Sequence, residues 1–133
     1  MRRVYLDSCF VIYLMEETPR FSAEARRFFA DNAGTHVCVS PLVRLEVLLR
    51  PLRDGNTALL RDYEDFLSSL QGLSITDEIF DRALHLRAQH RLKTPDALHL
   101  AVTQHYNCSE FWTNDNRLNE AAGSLAVNVF AAI

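Results

Sequence analysis

The sequence predicts a three-layer α/β fold, with helices on both faces of a central parallel sheet of four to five short strands. Three observations point to it. Short apolar, β-prone runs alternate along the chain with longer stretches of helical periodicity. Those runs are apolar almost throughout, as strands buried on both faces are. The 133 residues, 48% hydrophobic and 23% charged, suit one ordinary globular domain, expected over residues 1–133.

The first strand is Val4-Tyr5-Leu6, stopped by Asp7, and a helix is expected from Ser8 to Glu17. Thr18-Pro19 ends that helix, because proline disfavours helical geometry in the residue before it. Ser22 is expected to cap a second helix running to about Ala33. A second strand, His36 to Val39, is closed by Ser40-Pro41, a cap followed by proline in the first turn of a helix from Pro41 to Arg50. Pro51 through Asn56 read as a loop. Helical periodicity returns from Thr57 to Leu70, with Leu59, Leu60, Tyr63, Phe66, Leu67 and Leu70 on one stripe. Leu73-Ser74-Ile75 is the third strand expected, and Thr76-Asp77 caps a helix reaching His90. Thr94-Pro95 opens another helix that ends near Asn107. Glu110 to Thr113 is the fourth strand, Asn116 to Ala122 a short helix, and Val127 to Phe130 the last strand.

Fourteen basic residues face seventeen acidic ones, a formal charge of −3. A module that holds nucleic acid through its overall charge is usually basic, so any such role here belongs to a local site. Cys9, Cys38 and Cys108 are odd in number and show no paired spacing, which argues against a disulfide framework and for a reducing, cytoplasmic setting. The N-terminus meets Asp7 after three apolar residues, so no signal-peptide core is expected. No apolar run approaches the roughly 20 residues that cross a bilayer, and no membrane partner is expected.

Four acids stand out. Ligands of such sheets bind beyond the carboxyl ends of the strands, where strand order reverses. Asp7 follows the first strand there, and Asp115 follows the fourth by two residues. Asp96 lies in the first turn after Thr94-Pro95, and Glu46 is the lone acid of the apolar run Pro41 to Leu49. Asp7 can serve as a helix cap, Asp96 as a first-turn acid and Asp115 as a turn residue. Glu46 has only Arg50, four residues on, to pair with. Converging carboxylates repel unless a cation joins them. Hard ions such as Mg²⁺ or Mn²⁺, one or two of them, favour such oxygen ligands. Two would bring the formal charge from −3 to about +1, all of the gain at the site.

Other chemistries are absent. No glycine-rich phosphate loop or G-x-S-x-G turn is present, and no histidines fall at H-E-x-x-H spacing. His105 and Cys108 could hold zinc by spacing but lack a second pair. His99, one turn beyond Asp96, reads as a core histidine or as a support of the site.

Taken together, Val4 to Ser8 with Val11 to Leu14, the mid-helix Glu46, Thr94-Pro95-Asp96-Ala97-Leu98-His99-Leu100-Ala101 and Trp112-Thr113-Asn114-Asp115 resemble the PIN-domain ribonucleases, and among these the VapC toxins of bacterial toxin–antitoxin pairs. The likeness runs from Asp7 to Asp115 in the family's order. It implies a parallel sheet covered by helices, and a metal-dependent enzyme that cuts RNA internally. It implies Asp7, Asp96 and Asp115 as metal-site carboxylates, and Glu46 as the helix-borne acid that meets the metal directly or through water. Thr113 would support the cluster, with Ser8 and Asn116 beside it. The chain departs from the family at Cys9, where asparagine is common. The resemblance also implies a homodimer and a cognate antitoxin whose tail covers the acids, with the helices between Ser8 and Ala33 as its landing surface. Candidate RNA contacts are Arg44 and Arg50, flanking Glu46, and Arg87, Arg91 and Lys93, just before Asp96. Two alternatives stay open: a PIN nuclease of RNA processing without an antitoxin, and a non-catalytic PIN-like module that binds RNA or protein.

Overall fold

In chain order a computed structural model, which describes residues 2–130, contains β1 (Arg3–Leu6), α1 (Ser8–Met15), α2 (Phe21–Asp31), β2 (His36–Val39), α3 (Pro41–Arg53) and α4 (Thr57–Ser68). Then come β3 (Gln71–Gly72), α5 (Asp77–His90), α6 (Thr94–His105), β4 (Glu110–Thr113), α7 (Asn119–Ala122) and β5 (Ala126–Asn128), with short 3-10 turns on either side of α7. All five strands are parallel, in the order β3-β2-β1-β4-β5. The chain therefore steps from β1 outward to β3, then returns to the far side of β1 to place β4. That reversal opens a crevice between the carboxyl ends of β1 and β4.

The two-residue period of the strands assigns the layers. Tyr5 and Phe111 are register partners and both meet His99 of α6, at ring-centroid distances of 5.6 and 6.3 Å. Trp112, the next residue, points to the opposite face and meets Phe10 of α1 at 5.6 Å and Phe28 of α2 at 4.7 Å. Val4, Tyr5, Leu6, Phe111 and Trp112 are fully buried, so the central strands are covered on both sides. Such aromatic packing adds roughly 0.5–1.5 kcal/mol per pair beyond the area buried. No helix of the described residues is long and apolar enough to cross a membrane.

Most expected elements are present, and the departures have local causes. Ser22 does not cap α2, which starts after Arg20; its hydroxyl donates to the Glu16 carbonyl and accepts from the Thr18 N–H, tying down the loop before the helix. Helix α3 does not stop at Arg50 but continues through Pro51 to Arg53. Proline's fixed φ is helical, its ring is buried here, and the N–H groups of Asp54, Gly55 and Asn56 close the turn on Arg50, Leu52 and Pro51. The third strand pairs at Gln71 and Gly72, not at Leu73 to Ile75. Its apolar signal comes from Leu73, whose side chain enters the core just after the pairing ends. Strand β5 ends at Asn128, where the side chain accepts from the Phe130 N–H and turns the chain, sending Phe130 against Phe10, Tyr13 and Phe21.

Candidate metal centre

Asp7 sits at the first position after β1, with the extended backbone of an N-cap (φ −71°, ψ 155°). One carboxylate oxygen, Oδ1, accepts from the Ser8 N–H at 2.7 Å, and the other, Oδ2, accepts from the Thr113 hydroxyl at 2.7 Å. Thr113 is fully buried at the end of β4, and its Oγ1 accepts in turn from the Asp115 N–H at 3.2 Å. One hydroxyl thus fixes both acids at the mouth of the crevice.

Glu46 reaches the same mouth from α3. The reading that paired it with Arg50 does not hold: Glu46 turns instead to Ser8, whose hydroxyl donates to Oε1 at 2.6 Å, and to His99, whose Nε2 lies 2.6 Å from the same oxygen. Burial alone would raise the Glu46 carboxyl, but these two hydrogen bonds outweigh it and hold the group below the usual carboxylate range. His99 also stands 4.0 Å from Asp7 Oδ1.

Asp96 faces the cluster from the first turn of α6. Burial, reinforced by the charges of Asp7 and Asp115, lifts its carboxyl above the usual range, against the opposing pull of His99 and Arg117. Asp115 shifts the other way, because Arg117 binds it through its side chain and its backbone N–H. Three acids therefore share one electrostatic environment, and one of them carries the cost of the crowding.

Among the described residues, no three His, Cys, Asp or Glu side chains already stand as a ligand set around an ion. Asp115 is drawn to Arg117, and Glu46 to Ser8 and His99. The donor chemistry nevertheless suits a hard divalent ion: the groups are carboxylate oxygens, and the strain on Asp96 is what a cation relieves. Cavities of about 430 and 500 Å³ lie elsewhere, one beside Ser40, Arg44 and Leu73 and one beside Glu78, Arg82 and His85; none of the four acids lines either.

The remaining sequence candidates divide. Ser8 joins the site directly, whereas Asn116 accepts from the Asn128 amide and braces the start of the chain's return to the sheet. Arg44 pairs with Glu64 at 3.5 Å, and Arg50 lies near Glu16 and Asp54. Arg87 donates to the Leu92 carbonyl, Arg91 takes the left-handed C-cap of α5 (φ 56°), and Lys93 is the residue before α6. These three shape the turn into α6. The residue that sequence reasoning missed is Arg117, two positions past Asp115 in Thr113-Asn114-Asp115-Asn116-Arg117. An Asp-x-Arg turn was its available signal.

None of the curated proteins matches the chain significantly. Among solved structures, it is similar to a toxin–antitoxin complex from Klebsiella pneumoniae, with a TM-score of 0.77, 22% identity, and 95% and 97% of the two chains covered. It is similar also to VapC20 of Mycobacterium tuberculosis, titled a sarcin-ricin-loop-cleaving toxin, with a TM-score of 0.78, 18% identity, and 94% and 97% covered. FitAcB from Neisseria gonorrhoeae gives a TM-score of 0.80, 13% identity, and 96% and 99% covered. At these identities the likeness establishes the fold, whose five parallel strands fall within the four to five expected from sequence. The profile of the PIN domain matches residues 4–124, from within β1 past the end of α7, and this chain therefore belongs to the PIN-domain family.

Proposed function

We propose that this protein is a Mg²⁺-dependent endoribonuclease, with Mn²⁺ as an alternative ion, acting as the toxin of a toxin–antitoxin pair in the cytoplasm. The observation that carries this reading is the Thr113 hydroxyl joining Asp7 to Asp115 beyond the carboxyl ends of β1 and β4, with Asp96 near enough to feel both charges. Glu46 adds a fourth acid from α3, held ionised by Ser8 and His99. Asp7, Asp96, Asp115 and Glu46 would hold one or two ions. When bound, the metal lowers the pKa of water at the site and offsets charge on the scissile phosphodiester.

The chain's own groups do the rest. Thr113 keeps Asp7 and Asp115 in register, and Ser8 links Asp7 to Glu46. Arg117, exposed at the rim, can turn its guanidinium to an RNA phosphate.

The partner side of the proposal is an antitoxin and a second copy of this chain. Among the neighbouring folds, one is titled a toxin–antitoxin complex, and VapBC and FitAB structures are titled as bound to DNA. Among the described residues the exposed large apolar side chains are not on α1 or α2, where the antitoxin was expected to land. They form stripes on α3 (Leu45, Leu49, Leu52) and α5 (Phe80, Leu84), and these are the surfaces such partners would cover.

The test is incubation of purified protein with total cellular RNA in Mg²⁺, Mn²⁺ or EDTA, beside Asp7→Asn and Asp96→Asn. Discrete fragments that require metal and vanish in both variants are expected. Cleavage that survives in EDTA or in folded Asp7→Asn overturns the assignment.

A further inference from the structure

His99 is 2% exposed and lies one helical turn beyond Asp96, on the same side of α6. Its two ring nitrogens have different partners. Nε2 faces only carboxylates, Glu46 Oε1 at 2.6 Å and Asp7 Oδ1 at 4.0 Å, and an ionised carboxylate can only accept. Nε2 therefore carries a hydrogen. Nδ1 lies 2.7 Å from the Tyr5 hydroxyl, which lies 2.7 Å from Ser40 Oγ.

One set of directions satisfies every group in a neutral ring. The Ser40 hydroxyl donates to Tyr5, Tyr5 donates to Nδ1, and Nε2 donates to Glu46. Burial pushes the Tyr5 hydroxyl well above its ordinary pKa and so keeps it the donor this chain needs.

Ser40 shows what this arrangement costs. It occupies the N-cap of α3, the helix that carries Glu46, yet its side chain makes no capping hydrogen bond. Serine caps are worth about 1 kcal/mol, and here the hydroxyl is committed to Tyr5 instead. A local rule is broken at the start of the helix that delivers an acid to the site.

Resting on the reading of Glu46 as a site acid, we infer that His99 is a positioning residue, which fixes the Glu46 carboxylate through a buried relay running Ser40–Tyr5–His99–Glu46. Both donors to Glu46, His99 and Ser8, land on Oε1, which leaves Oε2 as the oxygen to meet a cation. A histidine that merely filled the core would be expected to satisfy its ring on backbone groups. This one is bracketed by a tyrosine and an acid of the site.

The test combines ring-nitrogen NMR with Mn²⁺ titration of the full chain. The parent is expected to show His99 as the single tautomer with hydrogen on Nε2, and Tyr5→Phe is expected to blur that signature. His99→Leu should weaken Mn²⁺ binding roughly 10- to 100-fold, as loss of a group supporting a metal ligand does. His99→Gln, whose amide can still donate to Glu46, should recover to within about threefold of the parent by the same reasoning. A hydrogen on Nδ1, or parental Mn²⁺ affinity in folded His99→Leu, overturns the inference. Should His99→Leu fail to fold, His99→Gln against Tyr5→Phe carries the affinity test, and equal affinity in Tyr5→Phe and parent counts against the relay. A parent that binds no Mn²⁺ overturns the metal-site reading. The His99 ring spectrum of Glu46→Gln, unchanged from the parent, would separately refute the His99–Glu46 bond.

Discussion

Arg117 holds Asp115 by a fork, with Nε 2.9 Å from Oδ1 and Nη2 2.6 Å from Oδ2, and its backbone N–H adds a third bond to Oδ1 at 2.9 Å. The guanidinium thus occupies the same carboxylate that a divalent ion would need. Competition between an internal cation and a metal follows directly. Arg117→Ala is expected to tighten Mn²⁺ binding roughly two- to fivefold, the range set by an exposed ion pair. The same variant should raise KM for RNA, because the phosphate contact proposed for Arg117 would be lost. Arg117→Lys should not restore it, since lysine lacks the planar fork. Weaker Mn²⁺ binding in Arg117→Ala, measured by calorimetry, would show instead that the arginine orders Asp115 for the ion.

Asp96 and Glu46 predict opposite dependences on pH. The Asp96 carboxyl is raised, so what it contributes to folding is present below its unfolded pKa and lost as pH climbs through the folded value. At neutral pH without metal it is a liability. Asp96→Asn should therefore raise the melting temperature in EDTA by a few degrees while abolishing cleavage. Glu46 is lowered, so its contribution is present above its unfolded pKa and disappears as pH falls through the folded one. Glu46→Gln should flatten the stability profile below about pH 4.5. Thermal melts of both variants from pH 3 to 7 check the two signs.

Thr113 is the hinge of the acid cluster, and its methyl and hydroxyl can be separated. Thr113→Val keeps the shape but leaves Asp7 Oδ2 and the Asp115 N–H without their shared partner. A stability loss of about 1–3 kcal/mol is expected from the buried unpaired groups. Activity should fall roughly 10- to 100-fold through misplaced carboxylates. Thr113→Ser should recover most of the activity at the cost of one buried methyl. Equal activity in the valine and serine variants would remove the hydroxyl from the mechanism.

The parts of this molecule that were legible in sequence are those where local chemistry and tertiary packing agree. Thr76 caps α5 as its position predicts, and the stripe from Leu59 to Leu70 covers the core around a buried Tyr63. Asp7 and Asp115 were readable because they end strands whose apolar runs are unmistakable. Glu46 was readable because an acid in an apolar helix needs a partner. What that partner is could not be read. His99 lies 53 residues away, brought to Glu46 only by the tertiary fold. Ser40 looked like an ordinary cap, and only the fold reveals that its hydroxyl is spent on Tyr5, 35 residues away. Arg117 was hidden by its neighbours, since a turn rich in Asn and Asp already accounts for itself.

Metal should also act as a folding ligand. The cost of gathering Asp7, Asp96 and Asp115 is present in the metal-free chain and falls on Asp96. An ion that binds only the folded state stabilises it by RT ln(1 + [L]/Kd), about 2.7 kcal/mol at one hundred times Kd. For a chain of 133 residues that corresponds to a rise of roughly 10 °C in melting temperature. Asp7→Asn should lose most of this rise yet remain folded, because asparagine caps a helix about as well as aspartate. Its amide cannot accept from Thr113 and Ser8 at both ends, so a modest drop in basal stability is expected as well. Differential scanning calorimetry of the parent and Asp7→Asn, with Mn²⁺ and with EDTA, distinguishes the outcomes. An equal Mn²⁺-induced rise in both proteins would place the ion elsewhere than between β1 and β4.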